Sequence, residues 1–380
     1  MKISFNKYVI LRDMTLLVTM GYLLYFMFPF PPIIWRLLFV VIALIATSYR
    51  INELEKHEKL AIVFLCFNLL YFIISFNWLK NPSFTQIGNI ICTLLAIPLF
   101  TSLGRKGVFT NKFIIVSFIL LFIAGIGYFI DGFRVATDLQ GNNDEEVTNN
   151  SGTVFLFLLP FILCVKNKIL SFIAFVLCIL FLLFGAKRGN LVCAVIPCFL
   201  FVKYILTDRG TKIREKILLF ILLIVSCFIF MSQIEGNDYL LERIDDTVEG
   251  DSSNRDYIYA KAWGIWANSE YFYNMLLGYG YDTTVNHPAM KIHAHSDWLE
   301  ILVNYGLIGI VFYFLILKDY IKQIFIIKGK RKKYVLISIV SIWFVKSIFS
   351  MGFTSPIMFV NLFFMGYVYS FNGYKNFCKN

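Results

Sequence analysis

The chain has 380 residues, of which 58% are hydrophobic and only 16% charged, and its mean hydropathy is +0.71. Soluble domains run at roughly 45–50% apolar and about 25% charged residues, so this composition excludes an ordinary water-soluble globule. The net charge of +11 would suggest nucleic acid in a soluble protein; beside recurring apolar runs it reports membrane orientation instead, and no nucleic-acid partner is expected.

Apolar runs near the roughly 20 residues that a helix needs to cross a bilayer recur along the whole chain. They predict spans over 14–30, 34–49, 60–77, 87–103, 113–130, 152–166, 169–185, 189–205 and 217–232, and then over 299–317, 334–352 and 357–371. The reading is an all-α polytopic membrane protein of about 12 transmembrane helices. Its divisions are residues 1–232 with helices 1–9, a long and partly helical periplasmic loop over 233–298, and residues 299–380 with helices 10–12 and a cytoplasmic tail. The first run lacks a small-residue cleavage site after it and reads as a retained anchor.

Alternate loops differ in charge. Arg50, Lys56, Lys59, Arg105, Lys106, Lys112, Lys166, Lys168, the 209–216 stretch and the 328–333 stretch all fall on one side. The positive-inside rule makes that side cytoplasmic, with both termini there. Asp and Glu collect in the opposite loops, 131–151 and 233–298. Seven of the eight cysteines lie inside apolar runs, with no disulfide framework or zinc spacing, and read as small core residues.

Chemistry is sought where cations and a base meet the outer boundary. His295 sits at the start of span ten, and a neutral imidazole suits a general base near neutral pH. The plain alternative is that Ser296 or Asp297 caps the helix, with Glu300 completing a capping box and the His merely interfacial. His287, His293 and His295 raise a metal site, but no matching Cys or His cluster accompanies them, so neither metal nor cofactor is expected. Arg188, beside Lys187 after span seven, and Arg255, after an acidic run, present guanidinium forks suited to phosphate. Snorkelling and local ion pairing are the respective alternatives.

Residues 254–271 have helical character with Tyr259, Trp263 and Trp266, which fits an interfacial helix or a sugar platform. Lys346 is a cation inside span eleven and a functional candidate on that ground. Gly278, Tyr279 and Gly280 form a turn.

These features together resemble the bacterial O-antigen ligase and O-antigen polymerase superfamily. The family pattern of His, then Asn, Ser or Gln, nine residues, Gly, two residues and Gly, Thr or Tyr is met by His295, Ser296, Gly306 and Gly309. An Arg opening an outer helix, followed by a Gly-aromatic-Gly turn, resembles Arg255 with Gly278, Tyr279 and Gly280. An Arg after span seven resembles Arg188. Members often carry an Arg and an Asn before span six, a place that Arg134 and Asn150 could fill beside the acidic insertion Asp144, Glu145 and Glu146.

The resemblance implies a metal-independent, inverting glycosyltransferase of the plasma membrane. Its donor would be an undecaprenyl-pyrophosphate-linked glycan, and its acceptor a glycan or lipid A core. By carry-over, His295, Arg188 and Arg255 are catalytic, while Arg134, Lys346, Trp263, Tyr279 and Ser296 contact substrate. A repeat-unit polymerase is favoured over a ligase, with a lipid-linked oligosaccharide flippase as the reading from another class.

Overall fold

The structure, a computed structural model, describes residues 6–76, 83–140, 150–165, 167–185, 187–208, 210–235, 254–355 and 357–370. The regular elements of the described residues are all helices, with no strand among them. The long elements are α1 (Lys7–Leu23), α2 (Pro32–Ser48), α3 (Lys56–Phe76), α4 (Phe84–Arg105), α5 (Asn111–Gln140), α6 (Thr153–Ile162), α7 (Lys168–Phe184), α8 (Arg188–Thr207) and α9 (Ile213–Glu235). A loop-borne set follows: α10 (Arg255–Ala267), α11 (Phe272–Leu277) and α12 (Thr283–Asn286). Then come α13 (Asp297–Ile326), α14 (Lys330–Phe349), α15 (Met358–Phe363) and α16 (Met365–Tyr369).

Among the described residues, five helices, in α3, α4, α5, α8 and α13, are long and apolar enough to cross a membrane, and four shorter apolar helices accompany them. Leu17, Leu37, Val41, Ile73, Ile123, Val195 and Phe199 stay exposed on helix faces. An apolar belt of that extent is untenable in water and natural against lipid. The chain is a multi-pass membrane protein. Helix α4 is the central post: nearly its whole length is buried, against α2, α3, α15 and α16.

Four expectations are corrected. The first helix covers 7–23 rather than 14–30: Asn6 caps its start through a 3.1 Å bond from the Tyr8 amide, non-helical backbone at Leu24 ends it, and Pro31 and Pro32 open α2. Helix α5 continues to Gln140, so Arg134 stands on a helix and not in a loop. The last run is two short helices, α15 and α16, rather than one. Finally, α6 has only 10 residues, about 15 Å of rise against a hydrocarbon core of about 30 Å.

Helix α13 is broken at Gly306, whose φ of 63° and ψ of −159° are non-helical. The carbonyls freed at the break are those of Val303 and Asn304. They accept from the amides of Tyr279 and Gly280 at 2.9 and 3.0 Å. Gly278 (φ +75°) and Gly306 face each other backbone to backbone: a Cβ on Gly278 would lie 2.4 Å from the Asn304 carbonyl carbon, and one on Gly306 2.4 Å from the Leu276 oxygen. Two separate sequence motifs are thus the halves of one joint, which satisfies broken backbone within a membrane helix.

Candidate functional site

The joint fixes the loop set on one end of the bundle, and a second anchor comes from α10. A helix leaves its last carbonyls without intrahelical partners. At the end of α14, Arg255 Nη1 donates to the Phe349 carbonyl at 2.7 Å, and the Tyr259 hydroxyl donates to that of Ile348 at 3.0 Å, with the His295 carbonyl 3.3 Å away. A cation at a helix C-terminus is also favoured by the helix dipole.

Between these anchors the segment 287–296 crosses to the head of α13. Ser296 occupies the N-cap position but makes no side-chain capping bond; its buried hydroxyl donates to the Ser347 carbonyl at 3.3 Å. The capping box does not form. Asp297 Oδ2 instead accepts from the Gly352 and Phe353 amides at 3.0 and 2.8 Å and from the Tyr313 hydroxyl at 3.0 Å, which pins the turn after α14. Glu300 accepts from the Ala294 amide at 2.8 Å and the Thr284 hydroxyl at 2.5 Å.

Beneath the loop lies a cavity of about 370 Å³. Its wall includes Gln86 and Asn89 of α4, Tyr128 of α5, Thr153 of α6, Lys187 between α7 and α8, His293, Lys346 of α14, and Ser350, Thr354 and Ser355 beyond it. Among the described lining residues there are two lysines and no carboxylate. Lys346 is only 4% exposed. Gln86 Oε1 and Asn89 Oδ1 are buried with no hydrogen-bond partner among the described residues. A hydroxyl- and amide-rich chamber of this kind suits an anion carrying sugars.

The electrostatics agree. Burial, together with the Lys346 and Arg255 charges, brings the Lys187 ammonium down to about 8. The His295 imidazole is pushed below its ordinary value by partial loss of water contact at the loop surface and by the charges of Arg255, His293 and Lys187, which favours the neutral form able to accept a proton. Burial works against a charged His293, yet the hydrogen bond and charge of Glu300 and the Asp282 charge outweigh it and raise that imidazole. Asp282 is raised by burial.

The structure brings Arg255, His295, His293, Lys187 and Lys346 into one electrostatic neighbourhood. His295 is exposed, in a left-handed conformation (φ 52°), and is not among the residues lining the cavity. Arg188 opens α8, but its side chain lies outside the described residues, as do Asp144, Glu145 and Glu146, and the side chain of Asn150. Three expected substrate contacts fall elsewhere. Arg134 is exposed beside Asp131. Trp263 is exposed against Trp266, with ring centroids 5.1 Å apart. The Tyr279 hydroxyl donates to the Ile265 carbonyl at 3.0 Å, tying the joint to α10. The sequence reading missed Gln86 and Asn89; their signal was polar residues at helical spacing inside an otherwise apolar run.

Among the described residues, two clusters have metal-ligating types within reach of one another: Asp282, His293 and Glu300 by the cavity, and Glu55, His57 and Glu58 near the start of α3. In the second, His57 Nδ1 lies 3.0 Å from Asp319, and Arg50 lies 3.5 Å from Glu58.

Residues 154–314, somewhat under half the chain, match the family model described as O-antigen ligase. That match supports the resemblance to the O-antigen ligase and polymerase superfamily. The matched stretch contains Lys187, Arg188, Arg255, His293, His295 and the Gly278–Gly306 joint, whereas Arg134 and Lys346 lie outside it. No curated protein matches the chain. Its role is thus of the membrane glycan-processing, O-antigen ligase type.

Proposed function

We propose that the protein transfers an oligosaccharide from an undecaprenyl-pyrophosphate donor to a sugar hydroxyl, as the repeat-unit polymerase of a surface polysaccharide. The observation that carries this reading is the hydroxyl-lined cavity with Lys187 and Lys346 and no described carboxylate in its wall, beside a neutral His295. The diphosphate is the leaving group. Lys187, Lys346, Arg188 and Arg255 offset its growing negative charge as the anomeric carbon–oxygen bond breaks. His295 takes the proton from the acceptor hydroxyl, whose oxygen attacks the opposite face of that carbon and inverts it. No metal acts at the reacting atoms; the cationic side chains supply the charge. In this reading twelve crossings set both termini in the cytoplasm and the site on the periplasmic face of the inner membrane, where the carrier lipid presents its diphosphate at headgroup depth.

A ligase that moves a finished glycan to lipid A core or protein uses the same donor, and the description of the matched family favours it as the second reading. Proteoliposomes holding the purified chain and lipid-linked repeat units separate the outcomes. A polymerase lengthens the lipid-linked glycan without any other acceptor. A ligase releases carrier diphosphate only when an acceptor is added. Translocation of intact donor with no bond broken would overturn both in favour of a flippase.

A further inference from the structure

The loop that carries His295 is strained: Asp282, Lys291 and His295 all have positive φ, at 59°, 58° and 52°. Single residues of this kind persist only where their surroundings hold them. On the inner side of that loop, ligand atoms of Asp282, His293 and Glu300 all lie within 4.8 Å of one another, with His293 Nδ1 3.3 Å from Glu300 Oε1. Asp282 is 2% exposed and Glu300 3% exposed, so two carboxylates have been taken out of water side by side. Such burial is costly unless each oxygen finds a partner. Glu300 finds the Ala294 amide, the Thr284 hydroxyl and, at 3.3 Å, the Asn304 amide group. The Ser83 backbone amide reaches the Asp282 carboxylate, but its Oδ1 is buried with no hydrogen-bond partner among the described residues.

We propose that Asp282, His293 and Glu300 bind one divalent transition-metal cation, Mn²⁺ or Zn²⁺, which fastens the 282–296 segment to the head of α13. Bonds of about 2.0–2.2 Å to such an ion put neighbouring ligand atoms roughly 3–4 Å apart, a spacing that His293 and Glu300 already meet and that Asp282, within 4.8 Å of both, approaches. The imidazole favours Mn²⁺ or Zn²⁺ over Ca²⁺ or Mg²⁺, which prefer all-oxygen shells. His293 also lines the cavity, so water there supplies the remaining coordination position. The ion stands apart from the cationic wall formed by Lys187 and Lys346. Its task is to hold the loop, and the inference does not depend on which glycan reaction the protein performs.

The test uses the full chain purified in detergent, stripped with a chelator and reloaded with Mn²⁺ or Zn²⁺. Elemental analysis is expected to find one ion per chain, and Mn²⁺ spin-echo spectra a directly bound imidazole nitrogen. Asp282→Asn keeps the fold because Asn tolerates the left-handed conformation, and it should weaken binding at least tenfold. His293→Gln should remove the nitrogen coupling, and reloading should raise the melting temperature of the wild type but not of Asp282→Asn. Binding that survives Asp282→Asn unchanged, as it would if the ion sat at Glu55, His57 and Glu58, overturns the proposal, and so does the absence of stoichiometric binding by the wild type.

Discussion

Replacing Gly306 with Ala attacks the joint that seats the whole loop set, and the structure sets the size of the effect. A residue with a side chain at φ 63° and ψ −159° sits in a region essentially reserved for glycine, at a cost of about 1–3 kcal/mol. The added Cβ would stand 2.4 Å from the Leu276 oxygen and 2.5 Å from the Gly278 nitrogen. Both are backbone atoms, and Gly278 is itself held against Asn304, so neither can swing aside; overpacking of this kind costs about 1–3 kcal/mol. Parting the strands also loses the bonds from Tyr279 and Gly280 to Val303 and Asn304, each about 0.5–1.5 kcal/mol. The sum, roughly 3–9 kcal/mol, is comparable with the stability of a whole small domain. Hydrogen exchange followed by mass spectrometry should therefore find the Tyr279 and Gly280 amides protected in the wild type and open in Gly306→Ala. Gly264→Ala is the control on the same loop: Gly264 lies inside α10, and an added Cβ meets nothing closer than Asn268 at 3.8 Å, so exchange and melting should be unchanged or improved by up to about 1 kcal/mol. Wild-type protection at 278–281 in Gly306→Ala would refute the joint.

Three further outcomes are expected. Lys187, brought down to about 8, is charged below that pH and neutral above it; donor affinity should decline as pH rises through about 8, well before an ordinary lysine would titrate, and a flat affinity from pH 7 to 10 would count against its part in diphosphate binding. The same shift means that the unfolded chain holds more protons between about 8 and 10.5, so the contribution of Lys187 to stability rises with pH over that window. Arg188→Lys should weaken donor binding and slow transfer, because an ammonium lacks the planar fork that grips a diphosphate; unchanged kinetics would favour the snorkelling alternative. Protein loaded with Mn²⁺ or Zn²⁺ should transfer glycan at rates within about twofold, because the ion is not at the reacting atoms, whereas a Lewis acid polarising the leaving group would make rate depend strongly on the metal.

How much was legible in the sequence follows from what each signal measures. Apolar runs measure burial or lipid contact, so they located the bundle well and its breaks poorly. The 357–371 run is apolar because every described residue in it is buried, not because one helix passes through it. The first run drifted by seven residues because Phe28 and Phe30 are apolar without being helical. For the candidate site, the motif and its place at a boundary pointed to His295 and Arg255. The Gly278–Gly306 joint was not, because its halves are 28 residues apart and only pairing through space gives them meaning. Lys187 read as a snorkelling neighbour of Arg188 until the fold put Lys346 near it. Asp282 carried no local signal at all; only the packing of α12 against α13 brings it to His293 and Glu300.

The most direct measurement is glycan transfer in proteoliposomes by His295→Ala beside the wild type, with donor binding measured on the same preparations. Loss of the proton acceptor predicts a rate lower by about 100- to 10,000-fold while the diphosphate-linked donor still binds. Transfer at the wild-type rate by His295→Ala would contradict the assignment of that imidazole as the base.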